Sequence, residues 1–168
     1  MMLEIARLTG SDRAVLRRFW NAHWGGDFQV VHGQIFRLDD LDGFSARQNG
    51  EWLGLVNYYM EADFCEVILL DSLRPGQGIG TALLHAVEAA ARQSGCGRLK
   101  LTTTNDNTLA LRFYQKYGFE LVALRPGAVE AARQLKPSIP EFGLDDIPIR
   151  DEIDLELRLT PPNPDLCT

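Results

Sequence analysis

Along the chain, apolar positions recur with two periods, and the period switches mark out the elements. Leu3, Ile5 and Leu8, separated by polar residues, predict a first strand. Val15, Leu16, Phe19 and Trp20 then form a stripe opposite Arg13, Arg17 and Arg18, predicting a helix from about Asp12 to Trp20. Thr9 and Asp12 have capping-box spacing before it, and Gly25-Gly26 stops it. Val30 to Phe36 fits either an extended segment or a poorly formed second helix, and Asp39-Asp40-Leu41-Asp42-Gly43 reads as a solvated turn. Phe44 to Gln48 and Glu51 to Glu61 flank Asn49-Gly50, a strong two-residue hairpin signal. Ala62-Asp63 turns the chain into Phe64 to Leu70, the third of three successive antiparallel strands.

The second half alternates helix and strand. Leu83, Leu84, Val87, Ala90 and Ala91 give an apolar side to a helix over Thr81 to Ser94, which Gly95 ends. Leu99 to Thr103 is the next strand, and its threonines read as strand formers without a private function. Asn107 caps a helix from Thr108 to Tyr117, in which Leu109 and Phe113 are expected to face the core, with Tyr117 nearer to it than Tyr114. Glu120 to Arg125 is a strand, and Ala128 to Lys136 carries one short helix within an inserted segment at about 126–150. Such an insertion suits covering an acceptor site or contacting a second subunit. Ile153, Leu155, Leu157 and Leu159 alternate with Asp154, Glu156 and Arg158, predicting a half-buried strand whose polar side suits an outer face or the approach to a cationic acceptor. The pattern as a whole predicts an α/β (α+β) chain with one domain over 1–160 and a C-terminal tail over 161–168.

Composition narrows this only slightly. The 168 residues are 45% hydrophobic and 24% charged, enough for one domain with a substantial core. A net charge of -6 argues against nonspecific nucleic-acid binding, which needs a basic footprint. Cys65, Cys96 and Cys167 have neither metal spacing nor the look of a disulfide framework, so no metal is expected. With no signal-peptide pattern and no apolar run of about 20 residues, no membrane contact is expected and a cytoplasmic location fits.

Candidate chemistry centres on Gly76-Gln77-Gly78-Ile79-Gly80, between an apolar strand and a helix. Closely spaced glycines reach backbone angles closed to other residues and leave room for a ligand. The first amides of the following helix lack partners within it and suit a phosphate or pyrophosphate. No Walker lysine follows, and the glycine spacing fails the dinucleotide pattern. A pyrophosphate held by backbone alone therefore fits, and nucleoside-triphosphate chemistry does not.

Pro75-Gly76-Gln77-Gly78-Ile79-Gly80, followed by Asn107-Thr108-Leu109-Ala110, Phe113-Tyr114 and Gly118-Phe119, resembles the paired signature of the GNAT N-acetyltransferase superfamily. Pro75 stands where that family usually has Arg or Gln, with Arg74 one position earlier. The resemblance implies a central mixed, mostly antiparallel splayed sheet flanked by helices, and acetyl-CoA as cofactor. It places the pyrophosphate on Gly76, Gln77, Gly78, Ile79 and Gly80, and the pantetheine arm on the backbone from Leu70 through Ser72 to Leu73. Asn107 is a further cofactor contact in this view, and Asn105 either bonds the cofactor or caps the helix approach. Tyr114 corresponds to the family tyrosine that protonates the departing thiolate, and Glu66 to the carboxylate that serves as general base directly or through water. Trp20, His23 and Trp24 would stand on the acceptor wall, although packing alone also explains the tryptophans. His32, like His23, is of a type that titrates near neutrality and could assist an amine.

The expected function is acetyl transfer from acetyl-CoA to a primary amine, of a small molecule or a peptide, by direct attack through a tetrahedral intermediate. A non-catalytic acyl-CoA sensor and a partner-binding scaffold are the alternatives, and a homodimer is left open.

Overall fold

Asn49 and Gly50 are both left-handed, at φ 53° and 80°, and they join two strands in a two-residue hairpin. The computed structural model describes residues 2–159, so the expected tail at 161–168, with Cys167, lies outside the described residues. In chain order the elements are β1 (Glu4–Arg7), α1 (Arg13–Trp24), β2 (Phe28–Val31), β3 (Gln34–Arg37), β4 (Asp42–Gln48), β5 (Glu51–Met60) and β6 (Phe64–Ser72). They continue with α2 (Ile79–Gln93), β7 (Arg98–Thr104), α3 (Thr108–Tyr117), β8 (Glu120–Arg125), α4 (Ala128–Leu135) and β9 (Glu152–Arg158). The main sheet has the order β1-β4-β5-β6-β7-β9-β8, and β2-β3 form a separate pair. The sheet is mixed: β1, β4, β5 and β6 pair antiparallel, while β6 and β7 are neighbours joined through a helix. Contacts group the described residues into two compact units, 2–7 with 42–100 and 156–159, and 8–41 with 101–155.

In the first unit α2 packs on β4, β5 and β6 through Leu83, Leu84, Val87, Ala90 and Ala91, the stripe expected from its sequence. Leu83, Leu84 and Val87 are fully buried, each contributing roughly 1.5–3 kcal/mol. Gly54 lets the helix come this close. A Cβ there would lie 2.6 Å from the Asp71 carbonyl oxygen and 2.9 Å from Ile79 Cγ2. Two register shifts interrupt the ladders. The first leaves Leu53 unmatched between Ala46–Gly54 and Arg47–Trp52, and the second leaves Ile68 unmatched between Asn57–Leu69 and Tyr58–Val67.

In the second unit α1 buries Leu16, Phe19 and Trp20 and runs a turn further than its apolar stripe, to a left-handed Gly25. The ambiguous stretch at 30–36 is neither a bare extended segment nor a helix. It is most of the β2–β3 hairpin, turned by His32 and Gly33 at φ 50° and 73°. His-Gly lacks the strong turn chemistry of Asn-Gly, which is why the hairpin was hard to read. Its base is fixed by Lys136, whose Nζ donates to the Trp24 carbonyl at 2.7 Å, the Phe28 carbonyl at 2.8 Å and Gln29 Oε1 at 3.3 Å. The Lys136 residue is only 4% exposed, and burial lowers its pKa. The inserted segment is well tied down. Arg133 donates to the carbonyls of Ile139, Pro140 and Ile149, and α4 packs on β2 through a face that buries Val129 and Ala132.

Two expectations about α3 and β9 need correction. Leu109 is 66% exposed, and the buried residue of α3 is Tyr114, with Tyr117 only half-buried. The Asn107 cap sets the phase so that Ala110 and Tyr114 turn inward, one residue on from the predicted stripe. On β9 the polar side is not outward at Glu152 and Asp154, which are both buried. By contrast β8, last in the sheet order, leaves Leu121, Val122 and Leu124 at least half exposed.

Replacing Gly54 with Ala is expected to cost about 1–3 kcal/mol of overpacking, read as a lower urea midpoint at unchanged slope. Lys136→Met keeps the length of the stem but strands two backbone carbonyls and Gln29 Oε1, and should lower stability by about 1–3 kcal/mol. Because the folded state binds the Lys136 proton less tightly than the unfolded chain, wild-type stability gains on the Met variant as pH rises through the window below 10.5. Below that window the difference is constant. Parallel urea titrations across alkaline pH check both statements.

Candidate functional site

The glycine turn forms the mouth of α2. Gly76 and Gly78 are left-handed, at φ 80° and 75°, and nothing lies within 4 Å of where a Cβ would stand on either. Residues 75–78 are exposed, whereas Ile79 is 2% exposed and anchors the first turn in the core. The backbone bond from Ala82 N to the Gly78 carbonyl, 3.0 Å, is the first of the helix. The N–H groups of Ile79, Gly80 and Thr81 therefore precede the intrahelical ladder, the arrangement that attracts an anion. Gln77 lies on the exposed turn, and Arg74 is drawn aside to Glu51 at 2.9 Å. The fit to a pyrophosphate thus rests on main-chain donors, in keeping with Pro75, which brings no basic or amide side chain to the turn.

β6 leads into this turn. Leu70 and Ser72 are half-buried opposite Val56 and Gly54, and the Leu73 N–H donates to the Leu53 carbonyl at 2.8 Å. That bond takes the Leu73 N–H out of the set of free donors. Glu66 is 8% exposed and faces Tyr59 across the ladder, two residues before the unmatched Ile68. A bulge of this kind bends the strand and leaves backbone groups outside the regular pairing. Its neighbour Cys65 is fully buried, and burial first, then the nearby Cys96, pushes its thiol up to about 12. Such a thiol is a packing group, not a nucleophile at neutral pH.

The other candidates belong to the second unit. Tyr114 is 8% exposed, with its ring edge-on to Phe113 and Phe119 at 5.3 and 5.6 Å, and burial raises its phenol above the ordinary value. Asn107 Oδ1 accepts from the Ala110 N–H at 3.2 Å, the expected cap. Asn105 neither caps the helix nor is free for a ligand. Its Oδ1 accepts from the N–H groups of Arg150 and Asp151, both at 2.9 Å, and its Nδ2 donates to the Pro148 carbonyl at 2.9 Å. This clamp closes the inserted segment and engages both ends of the Asn105 side-chain amide. Trp20 is wholly buried, while His23 is exposed with its ring 4.4 Å from Phe19, and Trp24 is 38% exposed. Of these three residues, His23 and Trp24 have exposed surface and Trp20 has none.

One polar cluster was missed in the sequence. His32 Nε2 lies 2.6 Å from Asp154 Oδ1, the Thr102 hydroxyl donates to the same oxygen at 2.9 Å, and Arg125 Nε donates to Asp154 Oδ2 at 2.9 Å. These bonds hold the Asp154 carboxyl below the ordinary carboxylate range despite its burial. Thr102 therefore has a specific role, contrary to its reading as a mere strand former. The only signal was an acidic residue at every second position of β9, which a solvated face explains equally well.

The chain matches the acetyltransferase (GNAT) family over residues 13–119. It is 49% identical over 140 residues to the uncharacterized protein YdhI of Bacillus subtilis, covering 83% of this chain and 88% of that one. It is also 25% identical over 121 residues to an aminoglycoside N(6')-acetyltransferase type 1 of Salmonella typhimurium, covering 64% of this chain and 82% of that one. Among solved structures, a GNAT family acetyltransferase from Elizabethkingia anophelis with acetyl-CoA bound aligns at a TM-score of 0.68 and 23% identity, covering 94% of this chain and 98% of that one. On its signature residues, its strand order and these matches, the chain belongs to the acetyltransferase (GNAT) family.

Proposed function

We propose that this protein moves an acetyl group from acetyl-CoA to a primary amine by direct attack on the thioester. The observation that carries the reading is the open, exposed glycine turn at the N-terminus of α2, whose free amides suit a pyrophosphate and whose two left-handed glycines leave room for it. The relatives support the same reading: one structural neighbour holds acetyl-CoA, and one sequence relative acetylates an aminoglycoside amine.

Acetyl-CoA would supply an activated carbonyl and a leaving thiol. The chain's part is then positioning and proton transfer. The main-chain donors of Gly76 to Gly80 hold the diphosphate, with Leu70 and Ser72 alongside the pantetheine arm. Glu66, directly or through a water, takes the proton that the acceptor nitrogen must shed as its bond to carbon forms. Backbone donors beside the register shift at Ile68 would suit the oxygen that gains charge. Tyr114 gives the sulfur its proton as the carbon–sulfur bond breaks. A phenol raised by burial stays protonated at neutral pH, but it would not protonate a thiolate already stabilised by water. It acts while the charge is still developing.

Tyr114→Phe should lower kcat by about 100-fold while leaving acetyl-CoA affinity unchanged, as expected for loss of one general acid. Glu66→Gln should lower kcat/KM for the amine by a comparable factor of about 100. Gly78→Ala forces a left-handed alanine, at about 1–2 kcal/mol, and puts a methyl on the open side of the turn, so acetyl-CoA binding should weaken. Calorimetry with acetyl-CoA and mass spectrometry of an amine panel check these outcomes. A folded protein that binds no acetyl-CoA is a scaffold, and one that binds it without acetylating any amine is a sensor.

A further inference from the structure

Asp154 and Glu152 stand two residues apart on β9 and are satisfied very differently. Asp154 has a donor on each oxygen: His32 and Thr102 on Oδ1, and Arg125 through both Nε and a terminal nitrogen on Oδ2. Glu152 has an Oε2 that is buried without any hydrogen-bond partner, on a side chain only 6% exposed. The nearest cationic candidate is His32, whose Nε2 lies 3.9 Å away and is already committed to Asp154 at 2.6 Å. Two buried carboxylates thus share one permanent cation, Arg125, and leave one acceptor oxygen unfilled. Burial raises the Glu152 carboxyl above its ordinary value, and the unfilled acceptor costs about 1–3 kcal/mol or more until a charged donor reaches it. Among the described residues no three or more His, Cys, Asp or Glu side chains are grouped to hold a metal ion.

We propose that Glu152 and Asp154 form a subsite for a second ammonium group on the acceptor, with His32 as the removable member that occupies the place until the ligand arrives. His32 is the outermost of the three, its side chain 30% exposed, and it sits at the tip of the β2–β3 hairpin in a left-handed conformation. Swinging its imidazole aside opens Glu152 Oε2 and Asp154 Oδ1 together. A primary ammonium is a compact charge with three donors, and it can serve both oxygens at once where the imidazole Nε2 serves one. The preferred acceptors are therefore diamines or polyamines in which one nitrogen is held here and another is acetylated. This assignment rests on the transfer reading only for the fate of the second nitrogen.

Calorimetry of the whole protein with cadaverine and with its monoamine counterpart, pentylamine, tests the subsite without catalysis. Wild type should bind cadaverine about tenfold or more tightly than pentylamine, the margin of one charge-assisted hydrogen bond in a dry place. Glu152→Gln keeps the shape and should erase that margin. Should the variant prove unstable, the unmutated protein still decides. Cadaverine should shift the His32 imidazole resonances, with His85 as internal reference, and uncharged pentanol should not. Equal affinity for the two amines, no binding of either, or an unmoved His32 overturns the proposal. Glu152-dependent binding of cadaverine without acetylated product upholds the subsite and defeats the transfer reading. Acetylation of both amines with no preference does the reverse.

Discussion

The close seating of α2 on the sheet at Gly54 is the constraint on which the first unit depends. Without a side chain at that point, Ile79 and Leu83 reach the backbone of β5 and β6, and the first turn of the helix is pinned in the core. Pinning the turn fixes the direction of its unbonded amides. The glycines just before it then need only bend the chain away, which their left-handed angles accomplish. Apolar burial thus holds a row of polar main-chain donors in place without any side-chain charge.

The second unit is organised by buried polar groups instead. Lys136 gathers the end of α1 and the start of β2, Asn105 closes the loop before β9, and Asp154 draws together the hairpin tip, β7 and β8. Each of these links joins stretches far apart in sequence through a group that would be costly to leave unpaired. Such contacts specify one arrangement more sharply than apolar packing does, because a shifted register strands them.

This difference explains how much could be read before the fold was seen. Asn49-Gly50, the stripe of α2, the Asn107 cap and the glycine turn are local: their meaning lies within a few residues, so period and turn chemistry reveal them. His32-Gly33 is also local but chemically weak as a turn signal, and the hairpin went unassigned. The buried role of Glu152 and Asp154 was invisible, because alternation cannot distinguish a face open to water from one covered by residues a hundred positions earlier. Leu109 failed for a subtler reason. Its spacing to Phe113 was right, but the cap sets the rotation of a helix, and a shift of one residue exchanges core for surface.

The open flank of β8 has a consequence for handling this protein. Leu121, Val122 and Leu124 present apolar surface on both sides of a terminal strand, the kind of margin that templates pairing with another chain. At neutral pH mutual repulsion between molecules of charge -6 opposes such encounters. Near the isoelectric point of about 5.0 that repulsion vanishes while the apolar margin stays, so mild acid and high concentration together favour precipitation.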